Sequence, residues 1–125
     1  PGHLRAAMVE SVVYYGALED ARLVAASAAE MDPGARNAEM SDFATDPAAR
    51  GRGLAGNLLL RMEADMQKVG IRTLYTIARA TSMGMNVTFA RCGYTHAGTL
   101  TSNTQIAGHF ESMHVWYRQP NPVES

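Results

Sequence analysis

Between Arg50 and Gly56, two arginines (Arg50, Arg52) stand among three glycines (Gly51, Gly53, Gly56), directly ahead of an apolar-periodic run. These residue types at this spacing suit an anion, above all a phosphate. Glycines let the backbone turn sharply and approach a ligand closely. The amides at a helix start lack intrahelical acceptors and favour negative charge. From the residues alone, the stretch is either a plain tight turn with solvated arginines or a dinucleotide fingerprint, since the glycines spell G-x-G-x-x-G. The fingerprint needs glycines at a strand end and an acid about 20 residues on, closing the next strand. Here the preceding strand ends near Asp46-Pro47 and the next ends in Ala78-Arg79 without an acid. The chain is also too short for two mononucleotide halves.

The elements around the turn follow from pattern. Leu54, Leu58, Met62 and Met66 form an apolar stripe over 54–69, opposite Arg61, Glu63 and Gln67, with Gly70 placed to end the helix. Runs 8–18, 21–30 and 37–46 read as three strands, the first two a hairpin turned at Glu19-Asp20. Strand 72–78 and a second helix over 81–93 follow, then strands 94–100 and 109–118 joined by a polar loop at 101–108, and a disordered tail at 119–125. The order β-β-β-α-β-α-β-β predicts an α/β (α+β) domain over 1–118. Its sheet would be mixed, mainly antiparallel, with a central β-α-β crossover.

Composition narrows the function classes. The chain has 125 residues, enough for one domain, of which 46% are hydrophobic and 18% charged. A net charge of −1 argues against a broad nucleic-acid footprint. No apolar run reaches the roughly 18 residues of a membrane span, and no signal peptide is visible. Cys92 is the one cysteine, so no internal disulfide forms; a reducing, cytoplasmic setting fits. His3, His96, His109 and His114 show no ligand spacing, so no metal is expected.

"ARGRGLAGNLL" resembles the acyl-CoA diphosphate loop of the GNAT acetyltransferase superfamily, [QR]-x-x-G-x-[GA], matched here by Arg50, Gly53 and Ala55. The superfamily follows its loop with a helix, a strand and a second helix ending in Gly-Phe or Gly-Tyr; this chain has "MNVTFARCGY", closing at Gly93-Tyr94. More narrowly, "DFAT", "TIARA" and "ESM-VWY" resemble the catalytic domain of the β-lysine N6-acetyltransferases. The departure is at the front. The superfamily has a first strand and one or two helices before the hairpin, and these are expected to be missing here. The domain would then be N-terminally truncated, with apolar surface left bare and a homodimer expected.

The resemblance implies acetyl-CoA as co-substrate, no metal, and a small-molecule amine as partner. It places the acyl-CoA site on the backbone of Phe43, Ala44 and Thr45, on Arg50, Gly51, Arg52, Gly53, Leu54, Ala55 and Gly56, and on Ser82, Asn86 and Phe89. The pantetheine would lie in a V-shaped slot between 42–45 and 76–79, paired like an added strand. Acyl transfer to an amine calls for a carboxylate to take a proton; Asp42, Glu39 and Glu111 are candidates. The superfamily's usual acid, a tyrosine four residues before the Gly-Phe, is replaced by Phe89, leaving Tyr94, Tyr75 or water. The leading expectation is direct acetyl transfer from acetyl-CoA to a primary amine, best guessed as β-lysine or a similar amino acid. The alternative is a truncated, non-catalytic acyl-CoA-binding or interaction module; another small amine or a protein terminus is a third acceptor class.

Overall fold

A computed structural model describes residues 3–79, 83–106 and 109–120, apart from the side chains of Met83, 100–106 and 109–111. The chain runs β1 (His3–Val9), β2 (Val12–Glu19), β3 (Arg22–Asp32), β4 (Asn37–Thr45), a short 3-10 turn (Pro47–Ala49), α1 (Leu54–Lys68), β5 (Thr73–Arg79), α2 (Met83–Arg91), β6 (Thr95–Ile106) and β7 (His109–Arg118). The strands form one sheet in the order β1-β2-β3-β4-β5-β7-β6. Only β4 and β5 pair in parallel; every other neighbouring pair is antiparallel. This is the expected α/β class, a mixed and mainly antiparallel sheet around a central crossover.

Three boundaries differ from the sequence reading. The run 8–18 is not one strand: it breaks at Glu10-Ser11, where Glu10 takes φ 56°, and β1 precedes it. A strand therefore does stand before the first expected hairpin. A two-residue turn usually announces itself with Asn-Gly or Asp-Gly, and Glu-Ser carries no such signal. The second hairpin turns at Asp20 (φ 51°) and Ala21 (φ 63°), one residue later than expected. The polar stretch 101–108, read as a loop, is strand through Ile106, pairing Thr104 with Glu111 and Ile106 with His109. Its ladder is backbone hydrogen bonding, which needs no apolar alternation to form. The expected tail falls partly at 121–125, outside the described residues.

The core lies between the sheet and the helices. α1 crosses β2, β3 and β4 and touches α2. Its apolar stripe is buried: Leu58, Leu59 and Met62 fully and Met66 nearly so, against Tyr15, Ala29, Ala38, Met40 and Leu74, but Glu63, read on the opposite side, is buried as well, because Arg118 pairs with it there. Each apolar side chain of the stripe contributes on the order of 2 kcal/mol. From the other helix Phe89 joins the same cluster. The opposite face of the sheet is open, with Tyr14, Ile77 and Tyr117 exposed.

Candidate functional site

The parallel pair sets the geometry. β4 and β5 hold register for three residue pairs only, Asn37–Thr73, Ala38–Leu74 and Glu39–Tyr75; β4 then continues to Thr45 and β5 to Arg79 with no pairing between them. Two features end the ladder. The Thr76 hydroxyl donates to the Met40 carbonyl at 2.7 Å, occupying the acceptor that the next rung would use. Just beyond, Asp42 and Phe43 together stand opposite the single Ser27 of β3, between the pairs Ala28–Ser41 and Ala26–Ala44. This bulge, with Asp42 at φ 56°, bends β4 along β3 and away from β5. The result is a V that opens toward the C-terminal ends of both strands.

The glycine-rich turn sits at the mouth of that V, just after β4. Asp46 starts it: Oδ1 accepts from the Ala48 amide at 2.9 Å and Oδ2 pairs with Arg22. That backbone hydrogen bond first, and Arg22 second, hold the Asp46 carboxyl below the usual range. Gly51 (φ 84°) and Gly53 (φ 73°) occupy the left-handed region, which glycine enters without steric cost. Gly53 is the N-cap of α1 and offers no side-chain acceptor, and the first turn carries no acid. Asn57 is the first amide to find an acceptor within the helix, the Gly53 carbonyl at 3.0 Å. The amides of Leu54, Ala55 and Gly56 ahead of it have no acceptor within the helix. Leu54, Ala55 and Gly56 are half-buried at this end. Arg52 reaches back to Glu19 on the β2–β3 hairpin, and Arg50 is exposed. A Cβ built at Gly51, Gly53 or Gly56 meets nothing within 4 Å, so there is room in front of the loop. Open space in front of the glycines and an uncapped helix N-terminus coincide here, a combination that suits an anion.

The expected carboxylates separate by place. Glu39 is half-buried, facing Glu30 across β3–β4 and Tyr75 across β4–β5, while Tyr75 faces Tyr117 on β7. Two acids and two tyrosines thus form one lateral row near the point where the V begins. Burial first, then the charges of Glu30 and Asp42, raise the Glu39 carboxyl above the usual range. Burial first, then the charges of Glu39, Glu30 and Asp32, raise the Tyr75 hydroxyl. Asp42 is exposed at the bulge. Ser41 donates to Glu30 at 3.3 Å. The Glu111 side chain and Ser82 lie outside the described residues.

Tyr94 stands elsewhere. It is buried beside Phe89, whose ring also meets Phe43 edge-on, at centroid distances of 5.1 and 5.5 Å. Its hydroxyl lies inside near Glu63 without closing a hydrogen bond of ordinary geometry. Burial and that carboxylate push the hydroxyl far up. Glu63, raised by its own burial, meets Arg118 at 3.4 Å, and Arg118 also donates to the Cys92 carbonyl at 2.6 Å. Cys92 packs against the core, and burial raises its thiol. Phe89 thus belongs to the buried core with Phe43 packed against it, while Ala44 and Thr45 carry β4 outward. Asn86 is half-buried: its amide donates to the Arg79 carbonyl at 2.9 Å and its oxygen accepts from Trp116 Nε1 at 2.7 Å. His96 and His114 meet at 3.1 Å; among the described residues no three His, Cys, Asp or Glu side chains gather as metal ligands. No described helix is long and apolar enough to cross a membrane. Glu30 and Trp116 went unseen in the sequence because Glu30 acts through a cross-strand neighbour and Trp116 through Asn86 on α2.

A parallel pair splayed after three residues, with an uncapped helix start and two left-handed glycines at its mouth, is the acyl-donor architecture of one class of protein. The sequence signature of the Acetyltransferase (GNAT) family matches residues 3–94, and the chain belongs to that family. Its sequence is 42% identical over 118 residues to the β-lysine N6-acetyltransferase of Methanococcus maripaludis. That match takes in 94% of this chain and 43% of that protein; the chain spans well under half the length of this relative. In fold it is similar to the ribosomal-protein-S18-alanine N-acetyltransferase of Escherichia coli, with TM-score 0.80, 17% identity, and 94% of this chain against 74% of that one. It is likewise similar to a ribosomal L7/L12 α-N-protein acetyltransferase solved in complex with coenzyme A, with TM-score 0.80, 15% identity, and 87% against 62%.

Proposed function

We propose that this chain binds acetyl-CoA in the V between β4 and β5 and transfers its acetyl group to the primary amine of a small molecule, β-lysine or a similar amino acid. The splay of β4 from β5 above an uncapped helix start carries the reading. In it the backbone amides of Gly51 to Gly56 hold the diphosphate, the Arg50 amide being taken by the Pro47 carbonyl, and the exposed edges of 43–45 and of Ile77 pair with the pantetheine amides. The neutral amine attacks the thioester carbonyl, the C–S bond breaks, and the thiol leaves with a proton. Glu39 takes the amine's proton; its raised carboxyl is a stronger base than an ordinary glutamate. Tyr75 shares Glu39's row, so it is better placed than the interior Tyr94 to give the leaving thiolate a proton. The acids Glu30, Glu39 and Asp42 suit a cationic acceptor, and the likeness to a β-lysine enzyme supports that choice.

Two measurements test it. Acetyl-CoA binds only the folded state, so at a hundredfold excess over its Kd it stabilises by about 2.7 kcal/mol and raises Tm. No shift at millimolar ligand would sink the acyl-CoA reading. A panel containing β-lysine, lysine, polyamines and an alanine-terminal peptide, scored by thiol release, then identifies the acceptor. Binding without turnover on every amine turns the conclusion to a non-catalytic acyl-CoA module.

A further inference from the structure

The peptide groups of β5 alternate in direction. Thr73 donates its N–H to the Arg36 carbonyl, on the β4 side, so Thr73, Tyr75, Ile77 and Arg79 all turn their peptide edges that way. The ladder ends at Tyr75, which leaves the edges of Ile77 and Arg79 facing the gap. They differ in one respect. The Arg79 carbonyl accepts from the Asn86 amide of α2 at 2.9 Å, and the Asn86 oxygen is held in turn by the indole N–H of Trp116 on β7 at 2.7 Å. The indole is itself fixed, stacked at a tilt beside His96 at a centroid distance of 5.1 Å. One strand over from the slot, a tryptophan thus sets the orientation of an amide that closes the last carbonyl of β5.

We infer that Trp116 is a positioning residue for the acyl-donor slot. Acting through Asn86, it seals the Arg79 carbonyl and holds α2 against the end of β5, so that Ile77 is the β5 rung offered to a pantetheine amide. Asn86 then contributes to the slot as an end-stop rather than as a direct amide contact. This rests on the proposal that acetyl-CoA occupies the V. The device concerns only the pantetheine arm; the diphosphate loop lies on the other side of the opening and is not touched by it.

That asymmetry gives the test. Trp116→Phe keeps an aromatic ring and removes the donor. Calorimetry on the purified chain compares CoA with 3′,5′-ADP, which carries the nucleotide end and no pantetheine. Loss of one hydrogen bond in the relay is expected to weaken CoA roughly fivefold, with 3′,5′-ADP unchanged. In turnover, the KM for acetyl-CoA rises by the same factor while kcat stays level. Asn86→Asp keeps the acceptor for the indole and loses the donor to Arg79; it is expected to show the same CoA-selective loss, and it serves where the tryptophan variant fails to fold. CoA affinity unchanged in both variants, or equal weakening of CoA and 3′,5′-ADP, overturns the inference. Failure of the wild-type chain to bind CoA removes the slot reading itself, and the inference with it.

Discussion

Gly53 and Gly56 lie three residues apart in the same turn, and the same substitution at each is expected to act in opposite directions. Gly53 sits at φ 73°. An alanine there must adopt the left-handed conformation, which costs roughly 1–2 kcal/mol, only partly offset by a less flexible unfolded chain; the net loss is about 1 kcal/mol. Gly56 is inside α1 with ordinary helical torsions, and a Cβ at that position meets nothing within 4 Å. There alanine removes a glycine's entropic cost and contributes about 0.5–1 kcal/mol. For 125 residues the unfolding entropy near Tm is about 260 cal/mol/K. Gly53→Ala should therefore lower Tm by about 4 °C, and Gly56→Ala should raise it by about 2–4 °C. Thermal melts followed by circular dichroism, with and without CoA, read both effects. The CoA-induced shift should survive in Gly56→Ala and shrink in Gly53→Ala. Tm shifts of one sign in both variants would refute the conformational argument, and a destabilised Gly56→Ala would contradict the open space at its Cβ.

Other outcomes follow from the site. Glu39→Gln should lower kcat by roughly 10²-fold or more while leaving the acetyl-CoA Kd within about twofold, an outcome that titration and initial rates together decide. Glu30→Gln removes a charge that raises Glu39, so the acid limb of kcat/KM should move to lower pH; a limb that stays put would exclude Glu39 as the titrating base. Glu63 is raised in the fold. Its contribution to stability is thus full below the ordinary glutamate value and is lost as pH rises through the raised one. Glu63→Gln should flatten that part of a Tm–pH profile. Arg118→Ala removes the donor to the Cys92 carbonyl and the partner of Glu63, at a cost of about 2 kcal/mol in a urea melt.

What the sequence disclosed depended on the range of each interaction. α1 was legible because its stripe is local: Leu58, Met62 and Met66 recur at helical spacing and are buried together. The loop was legible for a similar reason, since glycine at 51 and 53 reports a backbone torsion directly. Turns lacking glycine were harder: nothing in Val9-Glu10-Ser11-Val12 signals that a strand ends, and the sheet gained β1 there. Neighbours across strands were out of reach. Glu30 faces Glu39 only in the register that the two hairpin turns set. Trp116 meets Asn86 thirty residues away in sequence. Phe89 and Tyr94 were seen as site positions from their place relative to Gly93, but the edge-on contacts of Phe89 with Phe43 and with Tyr94, and the burial of the Tyr94 hydroxyl, are products of packing.

The bulge at Asp42 gives β4 one residue more than β3 over the same span. In an uninterrupted strand Met40 and Phe43 would point to opposite sides, being an odd number apart. The surplus residue cancels that, so both reach the helices, Phe43 to meet Phe89. The opening between β4 and β5 is therefore a matter of count more than of side-chain identity. Shortening β4 by one residue at Asp42 would leave Phe43 facing inward and let the strand run straight beside β5. The hydrophobic interior would survive such an edit, and of the two breaks in the ladder only the Thr76–Met40 hydrogen bond would remain. Chain length at this single position, which no residue-type comparison weighs, sets whether β4 bends away from β5.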